Sequence, residues 1–205
     1  IFSGYRRHYA LQLERYWSWA PHFMRQLMAD AATRLPTEKP LLRRMRKAFE
    51  YADLNVDERL TSYFYWGNPS RLEGLLSVES RESIKGRHVS EPLLHALGDI
   101  PIDTPALNRM LFLESKFFLP DHNLNYTDKM SMAAGIEVRV PLLDPDLVSL
   151  AARLPVEFKQ KGSEGKWIFK KAMEKYLPKE IIYRPKTGFG APLRSWLHNE
   201  LKPQM

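Results

Sequence analysis

Asp144-Pro145-Asp146-Leu147-Val148-Ser149-Leu150-Ala151-Ala152-Arg153-Leu154-Pro155 is a complete helix instruction. The Asp144 carboxylate can accept from the free amides of a first turn, and proline tolerates the first helical position because that N–H needs no partner. Leu147, Leu150, Ala151 and Leu154 then recur at i, i+3, i+4 and i+7, and Pro155 stops the run. Outward from this stretch the same grammar repeats. Upstream, Asp103-Thr104-Pro105 opens a helix that is expected to run through Leu107, Met110/Leu111, Glu114 and Phe117/Phe118 to Pro120. Downstream, a helix opening near Ser163 to Lys166 carries Phe169, Ala172/Met173 and Tyr176 on one face, and another begins at Pro192 with Leu193, Trp196 and Leu197 as its apolar stripe.

Toward the N-terminus, three further apolar stripes predict helices: Tyr5, Tyr9, Leu13 and Tyr16/Trp17; Met24, Leu27/Met28, Ala31 and Leu35; Leu41/Leu42, Met45 and Phe49. Residues 67–104 are broken by Gly67-Asn68-Pro69, Gly74, Gly86, Pro92, Gly98 and Pro101 into short helices and loops. Only Gly135 to Val140 alternates β-branched residues as a strand does. The fold class expected is mostly α, a helical module compatible with being part of a larger α/β enzyme whose sheet lies upstream.

Composition narrows the chemistry. The chain of 205 residues is 44% hydrophobic and 27% charged, as folded globular proteins are, and contains no cysteine. That removes disulfides, thiolate nucleophiles and thiolate metal sites together. No apolar run reaches the roughly 18 residues of a membrane span. Ile1-Phe2-Ser3-Gly4-Tyr5-Arg6-Arg7 lacks the order of a signal peptide and reads as a chain cut from something longer. The six histidines make no i, i+4 metal pair, and Asp57-Glu58 read as first-turn charges complementing a helix dipole. The net charge of +7 is concentrated: between Arg153 and Lys186 stand ten basic and four acidic residues, +6 in all. The basic group Arg43, Arg44, Arg46 and Lys47 reads as the solvated face of an amphipathic helix.

Two stretches are unusual. Leu119 to Asp144 sets Asp128, Lys129, Glu137, Arg139 and Asp144 among apolar residues that favour burial, so pairing among Asp128, Glu137 and Arg139 is the least costly arrangement, structural or catalytic. Arg184-Pro185-Lys186-Thr187-Gly188-Phe189-Gly190-Ala191-Pro192 is a loop bounded by prolines. Gly188 and Gly190 let backbone amides approach an anion and Lys186 supplies a compact charge, or the segment simply joins two helices.

Together, Asp128-Lys129-Met130-Ser131-Met132-Ala133, Glu137-Val138-Arg139-Val140-Pro141-Leu142-Leu143-Asp144, Gly165-Lys166-Trp167 and Arg184 to Pro192 resemble the glutamine-dependent asparagine synthetase family. The one departure within the second motif is Leu142 where the family has an aromatic. The resemblance is close over 119–200 and collinear but weaker over 1–118, where Phe2 to Arg7 is similar to the segment that follows the family's Gly-Gly-Asp-Glu motif. It implies the helical C-terminal portion, 1–205, of an α/β synthetase domain of the adenine-nucleotide α-hydrolase kind. It further implies ATP-dependent amidation of a carboxylate through an acyl-adenylate, with ATP and magnesium as cofactors, ammonia from a glutaminase domain, and a cytoplasmic setting. A homodimer is compatible with it; nucleic acid and membrane are not expected partners.

By this resemblance Lys186 and Lys166 are the catalytic lysines facing the charge that develops on phosphate. Asp128, Glu137 and Arg139 are scaffold around the pocket, and Gly188 and Gly190 shape the loop. The family's Ser-Gly-Gly-x-Asp-Ser pyrophosphate loop and its glutaminase cysteine are absent from these residues, so the chain is expected to be an incomplete synthetase, inactive alone, with the main magnesium ligands upstream. Two other readings stay open: a basic helical module for nucleic acid or another anion, and a non-catalytic interaction module.

Overall fold

The computed structural model describes residues 1–36, 38–185 and 192–204, and these are mostly helical. They fall into two compact units, residues 1–168 and 169–205.

The first unit is built on α1 (Arg6–Leu13), α2 (His22–Thr33), α3 (Pro40–Phe49), α4 (Val56–Ser62), α5 (Pro69–Glu73), α6 (Val78–Ser83), α7 (Glu91–Leu97) and α8 (Ala106–Leu113). Its core joins Leu11 of α1, Leu60 of α4, Ala96 and Leu97 of α7, and Met110 and Leu113 of α8, with Tyr63, Phe64, Leu93, Ile100, Phe112 and Phe117 packed around them. Each large side chain buried there contributes roughly 1.5–3 kcal/mol. Local signals start the helices where chemistry favours it. Asn55 caps α4 by accepting from the Asp57 and Glu58 amides, and the two acids then occupy its first turn as expected. Asp57 also takes a two-pronged ion pair from the buried Arg109 of α8, at 2.5 and 2.9 Å. Arg43, Arg44 and Lys47 lie on the exposed side of α3.

A second buried link ties the turn after α1 to α4. The Glu14 carboxylate accepts from Arg59 Nε at 2.7 Å and from the Tyr63 hydroxyl at 2.8 Å. Burial, reinforced by the neighbouring carboxylate, pushes the Tyr63 phenol well up.

The structure departs from the sequence expectation at Pro120 and at residues 135–140. The helix begun at α8 does not stop at Pro120: it widens into a π-helix, Glu114–Leu124, with Pro120 inside, and continues as α9 (Asn125–Ala133). Proline lacks the amide that the ordinary ladder needs, and a shift to the wider register accommodates that gap. Residues 135–140 form no strand. Gly135, at φ +68°, ends α9 in a Schellman motif, its own amide bonding Met132 O and that of Ile136 bonding Ser131 O. Among the described residues no strand pairs with the chain beyond, and β-branched alternation alone cannot complete a ladder. Ile136, Val138, Val140 and Leu142 remain exposed, as do Met130 and Met132 on α9.

α10 (Pro145–Arg153) is capped by Asp144, which accepts from the Asp146 and Leu147 amides as the sequence predicts. α11 (Val156–Lys159) leads directly into a small antiparallel hairpin, β1 (Gln160–Lys161) and β2 (Glu164–Gly165), turned at Gly162 with φ +57°. The helix expected from Ser163–Lys166 begins at Trp167, as α12 (Trp167–Met173).

In the second unit lie α13 (Lys179–Ile182) and α14 (Leu193–His198). Glu174 there accepts from Lys171 Nζ at 2.7 Å and from the Tyr183 hydroxyl at 2.5 Å. Tyr176, expected on an apolar face, is 75% exposed.

Candidate site at the β-hairpin and the N-terminal segment

The hairpin carries Lys166 immediately after β2, and the main chain decides its posture. Lys166 is exposed and has φ +58°, a left-handed conformation that side-chain-bearing residues rarely adopt. Its amide donates to Phe2 O at 3.0 Å, so the turn is stitched to the first residues of the chain. Gly165 faces Gly4 so closely that a Cβ there would come within 2.4 Å of Gly4 Cα. On the neighbouring strand, Lys161 Nζ stands 4.8 Å from the centre of the Trp167 ring. Lys166 thus projects from a backbone corner fixed on two sides.

Behind that corner lies a buried polar cluster that the motifs did not reveal. Ser3, itself at φ +68°, donates its hydroxyl to Gln160 Oε1 at 2.5 Å and lies 2.9 Å from His8 Nδ1. His8, 1% exposed, accepts at Nδ1 from the Gly4 amide at 3.0 Å and reaches Glu114 Oε1 through Nε2 at 2.8 Å. The same Glu114 oxygen accepts from Arg7 Nε at 2.6 Å. Burial alone would raise the Glu114 carboxyl, but His8 and Arg7 together outweigh it and hold the group below the usual carboxylate range. The Arg7 guanidinium is itself enclosed by the Tyr5, Phe64 and Phe118 rings, each centre within 4.9 Å.

Ser3, His8 and Glu114 have the spacing of a hydrolytic triad, yet the proton inventory excludes that use. The imidazole nitrogen facing Ser3 already receives backbone amides, and the serine proton goes to Gln160. A general base needs a lone pair open to the nucleophile's proton. The cluster holds the chain together. A sequence signal for it existed only in part: Ser3-Gly4 precedes α1, but Gln160 lies 157 positions from Ser3 and Glu114 lies 106 positions from His8.

Lys159 is a further buried cation, 2% exposed, donating to Asn108 Oδ1 at 2.7 Å and Ala152 O at 3.4 Å. Desolvation lowers its ammonium below the ordinary lysine range. The +6 charge of 153–186 therefore includes one cation turned inward.

The other expected residues are placed as follows. Asp128 is exposed on α9 and lines a cleft of about 180 Å³ with Leu124, Thr127, Val138 and Val140. Glu137 and Arg139 make an ion pair at 3.4 Å with side chains 62% and 86% exposed, so their expected burial is not met. Val138 and Val140 line the cleft, whereas Glu137 and Arg139 do not. Lys186, Gly188 and Gly190 lie outside the described residues. Among the described residues, no three His, Asp or Glu side chains gather closely enough to hold a metal ion, and no helix is long and apolar enough to cross a membrane.

Comparison with known proteins gives consistent results. The model of the family described as asparagine synthase matches residues 1–205. A putative glutamine-hydrolysing asparagine synthetase of Mycobacterium bovis (strain ATCC BAA-935 / AF2122/97) is 29% identical over 96% of this chain, which spans 29% of that protein. Glutamine-hydrolysing asparagine synthetase 1 of Bacillus subtilis (strain 168) is 36% identical over 46% of the chain and 15% of its own length. The nodule asparagine synthetase of Pisum sativum is 44% identical over 30% of the chain and 12% of its own length. The chain thus spans less than a third of these relatives. No solved structure matches.

Proposed function

The chain belongs to the asparagine synthase family, and from that premise we propose that it is the helical C-terminal part of an α/β synthetase domain that amidates a carboxylate with ATP. The carboxylate oxygen attacks the α-phosphorus, the bond from that phosphorus to the α,β-bridging oxygen breaks, and pyrophosphate leaves. Ammonia nitrogen then attacks the acyl carbon, the C–O bond to phosphate breaks, and AMP departs as the amide loses its extra proton. Negative charge builds first on the leaving pyrophosphate and then on the tetrahedral oxygen. Fixed cations aimed at those positions are typically worth roughly 3–4 kcal/mol each.

Lys166 fills that role on this reading. The observation that carries it is the backbone corner that fixes an exposed lysine in an otherwise disfavoured conformation beside a motif-bearing turn. Lys186 is the second cation of the reaction, with Gly188 and Gly190 giving the substrate's phosphates close access to backbone amides. Asp128, in its cleft with Val138 and Val140, and the exposed Glu137–Arg139 pair form the pocket scaffold. Magnesium bound with ATP would neutralise charge on the departing pyrophosphate; among the described residues the acids do not gather to receive it. Glutamine-hydrolysing relatives support ammonia from a partner glutaminase domain; the setting proposed is cytoplasmic.

The test is pyrophosphate release. The purified chain with magnesium–ATP, aspartate and ammonium is expected to release none, because its sequence contains no Ser-Gly-Gly-x-Asp-Ser loop. Robust release overturns the incomplete-site reading. In a protein that contains the whole domain, Lys186→Ala is expected to abolish amidation, and undiminished activity overturns the role given to Lys186.

A further inference from the structure

We propose that Gln160 is a positioning residue for Lys166, acting through Ser3; its use in the reaction rests on the reading that Lys166 faces the phosphates. Among the described residues, two that are not glycine occupy the left-handed region, Ser3 and Lys166. They stand on segments that face each other. Phe2 O accepts the Lys166 amide, and the Lys166 methylenes pass over Gly4, where a Cβ would lie 3.3 Å from Cγ and Cε. Disfavoured backbone persists only where surrounding contacts over-determine it, and it clusters at working sites. Two such residues side by side call for a common clamp.

Gln160 is that clamp. It is 3% exposed, and its Nε2 donates to Gly162 O at 2.8 Å, which fixes the amide so that Oε1 faces Ser3. One side chain therefore holds both the hairpin turn and the N-terminal segment against which Lys166 rests. From the other side Ser3 is backed by His8, which is anchored on Glu114. Without the Gln160 amide, Ser3 loses its acceptor, residues 2–4 lose their register against 164–166, and Lys166 relaxes to ordinary backbone with its ammonium displaced.

Two measurements on the 205-residue chain test this. In hydrogen exchange, Gln160→Met, similar in size but without the amide, is expected to speed exchange of the Lys166 amide tenfold or more while the amides of α8 keep their protection. Ser3→Ala removes the other end of the same hydrogen bond without touching the hairpin and is expected to reproduce the effect, which separates it from misfolding of the Gln160 variant. Unchanged protection of the Lys166 amide in both variants overturns the clamp. In calorimetry with inorganic tripolyphosphate and with magnesium–ATP, Q160M is expected to weaken binding at least threefold when Lys166 is present and to add nothing in a K166M background. A full additive loss overturns positioning, because a merely structural role would act independently of Lys166. Absence of binding by the unsubstituted chain overturns the nucleotide reading and with it the use of Gln160 in the reaction, whereas the exchange result judges the clamp alone.

Discussion

Replacing Glu114 by Gln removes one charge from a buried carboxylate shared by Arg7 and His8 while nearly preserving its shape. Its Oε1 serves Arg7 at 2.6 Å and His8 at 2.8 Å, and Glu114 is 6% exposed. Breaking a buried pair by neutralising one member typically costs about 3–5 kcal/mol, because the other charge stays buried uncompensated. Arg7 retains three aromatic faces and is 19% exposed, so the low end, about 3 kcal/mol, applies. With a urea slope of about 2 kcal/mol/M, the unfolding midpoint at pH 7 falls by about 1.5 M.

The pH dependence gives an independent check. The folded carboxyl is held below its unfolded value, so its stabilisation is fully present above the unfolded pKa and is lost as pH falls through the lower folded value. Urea unfolding followed by circular dichroism between pH 3 and 7 should therefore show a difference between wild type and E114Q that is constant near neutrality and shrinks in acid. A midpoint shift under about 0.3 M at pH 7, or a difference that stays flat into acid, refutes the account of the cluster.

Two other perturbations follow from the geometry. Gly165→Ala puts a Cβ 2.4 Å from Gly4 Cα, where only backbone can yield, and is expected to destabilise by at least about 2 kcal/mol; Gly67→Ala, whose nearest atoms are the Leu72 methyls at 3.8 Å, should gain about 0.4–1 kcal/mol. Equal midpoints for these two variants in denaturant would contradict the close approach. Asn55→Ala strips the cap that serves two amides of α4 and should cost about 1 kcal/mol, seen as a drop of about 2–4 °C in thermal melting.

What the sequence disclosed was local. Asp144-Pro145 starts a helix through atoms two or three residues apart, Asp57-Glu58 read as first-turn charges, and both stand in the structure. The failures were non-local. Whether 135–140 forms a strand depends on a neighbour that the segment itself cannot encode, and whether Pro120 ends a helix depends on the register around it. At the site, the family motifs singled out Lys166, but Gln160 and His8 carry no motif and gain meaning only when a two-residue turn at Gly162 brings position 160 against position 3. Lys159 shows the same limit: a lysine in a basic run reads as solvated until α8 and α10 close over it.

The apolar residues left open from Met130 to Leu142 also govern how the isolated chain behaves as a colloid. Contacts between such faces are short-ranged and insensitive to salt, whereas the repulsion of a +7 chain is long-ranged and is not. Raising ionic strength from 0.01 to 0.15 M shrinks the screening length from about 30 Å to about 8 Å, removing the repulsion and leaving the attraction. The chain is therefore best kept in dilute buffer, and added salt drives it toward self-association.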